Sequence, residues 1–404
     1  MVGFGLNRLR GNPRELEVRD TSAGAGASAE WLLLITALLV MFGLTMLYSA
    51  SYGVANAKYF RNQLLWVGLG VISGGTAFIF GYRKVSEYCW PLIIGCLVAL
   101  LAARLFFPKI NGAYRWIRFG GFSLQPSEFA KLAVALFTAK YCSDNLRTFG
   151  QLRSRKGLLP LAAVCGTLIC GVLLGKDLGT TLLISLTCFL TLIVAGLAMW
   201  YWIVPIIGAW LIGTYIYLFD AERLSRVTSF LHPESVQETE GYQLWTSLMA
   251  LGSGDWCGVG FMASRMKAKY LPEAHTDFIL AVVGEELGWV GMVCVIIGYV
   301  LFTVFALRIA LRASCRQGML LGFALTMGLS FQAVINLSVV SGSIPTKGMP
   351  APFLSYGGSN MIASLTAVGL LLSIAVEAVD PEYSERIQNR IKAFFRREKE
   401  NIEA

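Results

Sequence analysis

The chain is poor in charge. Of its 404 residues only 15% are Asp, Glu, Lys or Arg, where a soluble chain carries about 25%. Histidine is scarcer still, with His232 and His275 alone, and the nine cysteines include no CxxC pair. A zinc centre built on Cys and His is therefore not expected. Cys96, Cys165, Cys170, Cys188 and Cys294 lie within apolar runs, where cysteine acts as a small hydrophobe. The first thirty residues hold Arg8, Arg10, Arg14 and Arg19 but no apolar core, so no cleavable signal peptide is expected. No GxGxxG or P-loop pattern stands out, which leaves no reason to expect a nucleotide cofactor. No internal repeat is visible, so the inverted-repeat signature of transporters is missing.

What the chain has is apolar length. It is 55% hydrophobic, and ten blocks lie near residues 31–50, 62–81, 88–107, 126–143, 157–175, 179–197, 199–219, 278–307, 317–340 and 351–378. Each can cross a hydrocarbon core of about 30 Å, which takes about 20 helical residues. The pattern predicts an all-α polytopic membrane protein of about ten transmembrane helices, with a large extracytoplasmic loop, 220–276, between helices 7 and 8. Residues 1–28 read as a cytoplasmic tail, 29–379 as the membrane domain and 380–404 as a basic cytoplasmic tail. With the N-terminus inside, most Lys and Arg residues fall on inner segments, which places both termini in the cytoplasm. The net charge of +9 is spread over loops that the spans hold apart. It does not suit nucleic acid; the basic C-terminal tail would be drawn to anionic lipid head groups. In the long loop, Leu244, Trp245, Leu248 and Leu251 recur at helical spacing and predict a helix lying in the membrane interface.

Ionisable residues inside or beside a span are functional candidates, because their desolvation is costly. Five clusters qualify, all on the outer side. Asn111-Gly112-Ala113-Tyr114-Arg115-Trp116-Ile117 leads to Gln125-Pro126-Ser127-Glu128, with Lys131 three residues on and on the same helical face as Glu128. A capped helix start with a local ion pair would explain the second half, but Arg115 and Trp116 suit a phosphate-bearing lipid head group. Asp177 in Gly175-Lys176-Asp177-Leu178-Gly179-Thr180 reads equally as a helix N-cap or a functional carboxylate. His275-Thr276-Asp277 precedes Glu285 and Glu286. The span from 278 to 307 would be about 45 Å long as one helix, so its outer part can line a wet cavity. There Asp277 keeps a usable pKa as a base, while internal bonding is the better reading of the two glutamates. Pro345-Thr346-Lys347-Gly348-Met349-Pro350-Ala351-Pro352, running on to Ser355 and Ser359, cannot all be helix, and its N–H groups could form an anion nest. Arg265, Lys267 and Lys269 make the fifth cluster, near Gln243; a solvated charged stretch would explain them too.

These motifs, in this order over about residues 40–378, resemble the SEDS family (shape, elongation, division and sporulation). Pro345-Thr346-Lys347-Gly348 and Pro272-Glu273-Ala274-His275-Thr276-Asp277 look more like its cell-division members than its elongation members. The resemblance implies a ten-helix peptidoglycan glycosyltransferase of the bacterial inner membrane, acting at the division septum. Such an enzyme links lipid II into glycan strands beside a class B penicillin-binding protein and other division proteins. It implies Asp277 as the key carboxylate and base, with Glu128 and Lys131 also catalytic. Arg115, Trp116, Asp177, Gln243, Lys267, His275, Lys347, Ser355 and Ser359 are then substrate contacts. No cofactor is required, though a divalent cation could assist the pyrophosphate. Two departures stand out: Gly175-Lys176 replace the family's Gln-Pro before Asp177, and Asn360 stands where serine is usual. A lipid flippase and a non-enzymatic division scaffold are the competing classes. The one-sided clustering of charge argues against the flippase.

Overall fold

The computed structural model describes residues 13–55, 58–110, 112–119, 122–145, 157–197, 241–269, 271–272 and 274–383, with isolated positions at 201, 230, 386 and 393. In chain order the elements are α1 (Pro13–Ala55), α2 (Lys58–Phe80), α3 (Tyr82–Glu87), α4 (Cys89–Phe106), β1 (Ile117–Phe119), β2 (Phe122–Leu124), α5 (Pro126–Asp144), α6 (Leu158–Leu174) and α7 (Leu178–Val194). Then follow α8 (Tyr242–Gly254), α9 (Met266–Lys269), α10 (Ile279–Leu311), α11 (Arg316–Val340) and α12 (Gly358–Val379). Nine of the expected spans coincide with a helix. The seventh, 199–219, apart from Tyr201, and residues 220–229 and 231–240 of the long loop lie outside the described residues, as does nearly all of the tail 380–404.

Six of the described helices are long and apolar enough to cross a membrane, and α6 and α7 are shorter apolar helices of 17 residues each. The helix of the remaining expected span, α5, runs down the middle of the bundle against α4, α7, α11 and α12. Its side chains are enclosed by protein, from Ser127 and Glu128 down to Cys142. A helix that does not meet lipid needs no uniformly apolar surface, which accommodates Glu128 and Lys131. Small residues bring α2 and α12 together: a Cβ on Gly369 would stand 2.0 Å from the Gly74 carbonyl oxygen. Such backbone approach is how helices pack without a hydrophobic driving force between them.

Four features differ from the sequence expectation. First, α1 is continuous from Pro13, 43 residues or about 65 Å long, so much of the expected tail 1–28 extends the first span. Second, residues 117–119 and 122–124 form a two-stranded antiparallel ribbon, with Ile117 paired to Leu124 and Arg118 to Ser123. The Gly120-Gly121 dipeptide between the strands is the hairpin signal that gives it away. Third, α8 does not lie free in the interface. It packs on α10 and α11, with Leu244 buried and Ser247 donating to the Val340 carbonyl at 2.9 Å.

Fourth, α10 is not one 45 Å rod. Gly288 breaks it with φ 64° and ψ −160°, leaving a buried outer half, 279–287, and a spanning half beyond. The break frees backbone groups that a membrane cannot satisfy. Residues 255–260 satisfy them instead. The carbonyls of Glu285 and Glu286 accept from Val259 (2.9 Å) and Gly260 (3.1 Å), and the amides of Trp289 and Val290 donate to Asp255 (2.9 Å) and Trp256 (3.2 Å).

Candidate active site

Asp277 sits just before the buried half of α10, with Phe278 as the N-cap. Its main-chain carbonyl accepts from Asn336 Nδ2 on α11 at 2.8 Å. The same nitrogen donates to the Met349 carbonyl at 2.7 Å, so one amide ties Asp277 to the irregular segment 341–357. At Gly348 that segment passes directly beneath two charges. A Cβ there would lie 2.8 Å from Asp277 Oδ2 and 3.2 Å from Arg115 Nη2. Arg115 Nη1 also donates to the Gly348 carbonyl at 3.3 Å, while its Nε is buried without a hydrogen-bond partner among the described residues. Lys347 is next in the chain and half-buried. Burial pushes its ammonium below the ordinary lysine pKa, because desolvation disfavours the charged form. Thus Asp277 and Arg115 meet at Gly348, with Lys347 adjacent in the chain, and Trp116 follows Arg115, partly exposed, at the start of the ribbon.

The segment under these charges is held from several sides. Gln63 of α2 donates to the Ser355 carbonyl (3.2 Å) and accepts from the Gly357 amide (3.3 Å). Tyr299 of α10 donates to the Pro352 carbonyl at 2.7 Å. Phe353 is buried at φ 65°, a left-handed conformation that a bulky residue adopts only where its surroundings impose it. The His275 carbonyl accepts from the Tyr356 amide at 3.0 Å, and the His275 ring stacks on Tyr59 with centroids 4.2 Å apart.

The expected anion nest is not formed by this segment as a whole. The N–H groups of Met349, Ala351, Leu354, Ser355, Tyr356 and Gly357 are all bonded within the protein. Ser355 and Ser359, expected as substrate contacts, are buried and occupied. Ser355 Oγ accepts from the Ala351 amide at 2.8 Å, and Ser359 Oγ accepts from the Gln125 amide at 2.8 Å. A turn rich in proline leaves few backbone donors and spends hydroxyls to close itself.

Glu128 and Lys131 form a buried ion pair at 2.7 Å. Lys131 also donates to Gln332 Oε1 at 2.6 Å, and Gln332 Nε2 reaches the Pro350 carbonyl (2.8 Å) and Asn360 Oδ1 (2.9 Å). Both residues border a cavity of about 40 Å³ deeper in the bundle, with Thr138, Thr187, Thr191 and Ser364, large enough for ordered water. Through Gln332 the pair supports the segment at Pro350.

Asp177 fulfils its N-cap reading: Oδ1 accepts from the Thr180 amide at 3.2 Å. Its Oδ2 accepts from Gln125 Nε2 and Ser127 Oγ, both at 3.0 Å, so it is a buried joint between α5 and α7. Lys267, expected at substrate, is turned inward. Its ammonium pairs with Glu286 and donates to Ser49 Oγ of α1 at 2.8 Å. Glu285 accepts from the Arg265 amide at 2.8 Å and from the Ser264 hydroxyl. The two glutamates thus bind internally, as expected, though mostly to the loop 262–267. Gln243 sits half-buried in the first turn of α8, its carbonyl accepting from Thr246 at 3.2 Å. Three supporting residues went unread in the sequence: Gln63, Gln332 and Asn336, neutral amides inside apolar spans. Their signal is that a buried amide needs partners.

A polytopic helical membrane protein with a carboxylate and a guanidinium meeting at the end of a broken helix is the class this geometry defines. The family model described as cell cycle protein, FtsW/RodA/SpoVE, matches residues 30–379, and the chain belongs to that family. A relative from Geobacter sp. (strain M18), named probable peptidoglycan glycosyltransferase FtsW, is 36% identical over 85% of this chain and 95% of its own. Stage V sporulation protein E of Bacillus subtilis is 34% identical over 85% and 96%. Among solved structures, a chain of a peptidoglycan synthase complex that coordinates polymerization and crosslinking superposes with a TM-score of 0.73. It is 27% identical, over 86% of this chain and 98% of that one. The rod shape determining protein RodA of Thermus thermophilus gives a TM-score of 0.64 at 26% identity, over 86% and 96%.

Proposed function

We infer that the chain is a peptidoglycan glycosyltransferase that polymerises lipid II into glycan strands at the outer face of the cytoplasmic membrane, in septal wall synthesis during cell division. The carrying observation is the meeting of Asp277 and Arg115 over Gly348, with Lys347 adjacent. Polymerisation requires a sugar hydroxyl of one unit to displace the polyprenyl pyrophosphate of another at its anomeric carbon. The new C–O bond forms as the C–O bond to pyrophosphate breaks. The hydroxyl proton passes to a base, and the leaving pyrophosphate carries the electron pair away.

In this chain Asp277 takes the proton. Arg115 and Lys347 face the leaving pyrophosphate and stabilise its charge as it develops. Trp116 packs on a sugar ring or the lipid stem, and His275 holds the approach to Asp277 through its contacts with Tyr59 and Tyr356. Glu128, Lys131 and Asp177 brace the walls. The lipid is its own activated donor, so no organic cofactor is needed; a divalent cation could share the pyrophosphate's charge with the two basic residues. The activity is exercised beside a class B penicillin-binding protein, which crosslinks the strands, with both termini of the chain in the cytoplasm. Purified protein, given lipid II and its transpeptidase, should make glycan strands; a folded wild type that makes none would end this reading.

A further inference from the structure

Beyond the charged residues, the polar face of α11 carries a neutral amide whose bonds are spent on two carbonyls alone. Asn336 is buried in a span, and its Nδ2 donates to the carbonyls of Asp277 (2.8 Å) and Met349 (2.7 Å). Turning the amide over would set Oδ1 against two carbonyl oxygens, so its partners fix its orientation. In that orientation Oδ1 is buried with no hydrogen-bond partner among the described residues. A buried unsatisfied acceptor is a cost that a purely structural contact would avoid.

The two carbonyls belong to the two strands of chain that bear the reacting groups. One carries Asp277. The other carries Lys347 and Gly348, over which the Asp277 carboxylate and the Arg115 guanidinium meet. One helical turn earlier on the same face, Gln332 anchors Pro350 to the Glu128–Lys131 pair, so the frame behind Asn336 is rigid. We propose that Asn336 is a positioning residue for the transfer step: it sets the distance between the Asp277 carboxylate and the Lys347–Gly348 segment, and so between base and leaving-group cations. This rests on the glycosyltransferase reading above.

The test is steady-state polymerisation of purified lipid II by the full chain with its transpeptidase, comparing wild type, Asn336→Ala and Tyr299→Phe. Tyr299→Phe removes a hydrogen bond of the same kind from the same segment, at Pro352, without touching Asp277. Asn336→Ala should lower kcat about a hundredfold, the effect of a small misplacement of reacting groups. KM should stay within about threefold, and Tyr299→Phe should keep kcat within about threefold. Asn336→Ser, which keeps one donor, should fall between and provides the same test if the alanine variant does not fold. Wild-type kcat in a folded Asn336 variant, or equal losses in Asn336 and Tyr299 variants, would overturn the proposal. A wild type without polymer would instead overturn the glycosyltransferase reading itself.

Discussion

At the scale of single residues, the proposed mechanism gives Asp277 and Lys347 each an expected signature. Asp277→Asn keeps shape and loses the base, so turnover should fall by about 10²–10⁴-fold in a folded, monodisperse protein. Lys347 titrates below the ordinary lysine value because it is partly desolvated. Its proton is lost as pH rises through that lowered value, and with it the positive charge proposed to stabilise the leaving pyrophosphate. The alkaline limb of the rate profile should therefore fall earlier than an ordinary lysine would allow. Lys347→Arg, which stays charged, should push that limb to higher pH. An unmoved limb would mean that another group sets it. The ionisable residues were readable from sequence because charge in an apolar chain is conspicuous. Asn336, Gln332 and Gln63 were not, since a neutral amide in a hydrophobic run barely changes its hydropathy. Nor could the sequence show that Ser355, Ser359, Asp177 and Lys267 spend their polar atoms inside the protein, because a hydroxyl or ammonium reads alike facing substrate or backbone.

Among the elements, the broken helix α10 is the one on which the site depends. Its break is a lock between two backbones: Gly258, at φ 78°, could not carry a Cβ, which would stand 2.1 Å from the Glu286 carbonyl, and Gly288 faces the Gly258 nitrogen in the same way. Gly258→Ala should cost more than about 1 kcal/mol, as alanine does at a positive φ. It should free the loop 255–269, seen as a lower thermal midpoint and faster proteolysis there; unchanged protection would show that the lock is not closed. The ion pair of Lys267 with Glu286 belongs to the same device. Lys267→Ala leaves a buried carboxylate unpaired, a loss of about 3–5 kcal/mol, and adding Glu286→Gln should recover part of it. Helix α10 shows why hydropathy locates spans better than it shapes them. Apart from Glu285 and Glu286, residues on both sides of Gly288 are apolar, the outer half buried in protein and the other half partly exposed, and hydropathy alone does not mark the break. The ribbon of 117–119 and 122–124 escaped notice for a similar reason, being too short to register beside helices of about 20 residues.

For the molecule as a whole, the apolar blocks made the helical, polytopic architecture legible, since a bilayer demands about 20 apolar residues per crossing. The enclosure of α5 was less so, because whether a helix meets lipid or protein depends on its neighbours. The orientation makes a direct prediction: Cys257, exposed beside the break, should react with a membrane-impermeant maleimide added outside intact spheroplasts. Protection from outside, with labelling only after permeabilisation, would invert the topology and put the site on the wrong face for lipid-linked wall precursors. The account rests most directly on one measurement: glycan-strand synthesis from purified lipid II by the solubilised chain with its class B penicillin-binding protein, wild type against Asp277→Asn. The account predicts polymer from wild type and almost none from the folded variant. Equal polymer from both would remove Asp277 as the base, and none from either would contradict the enzyme.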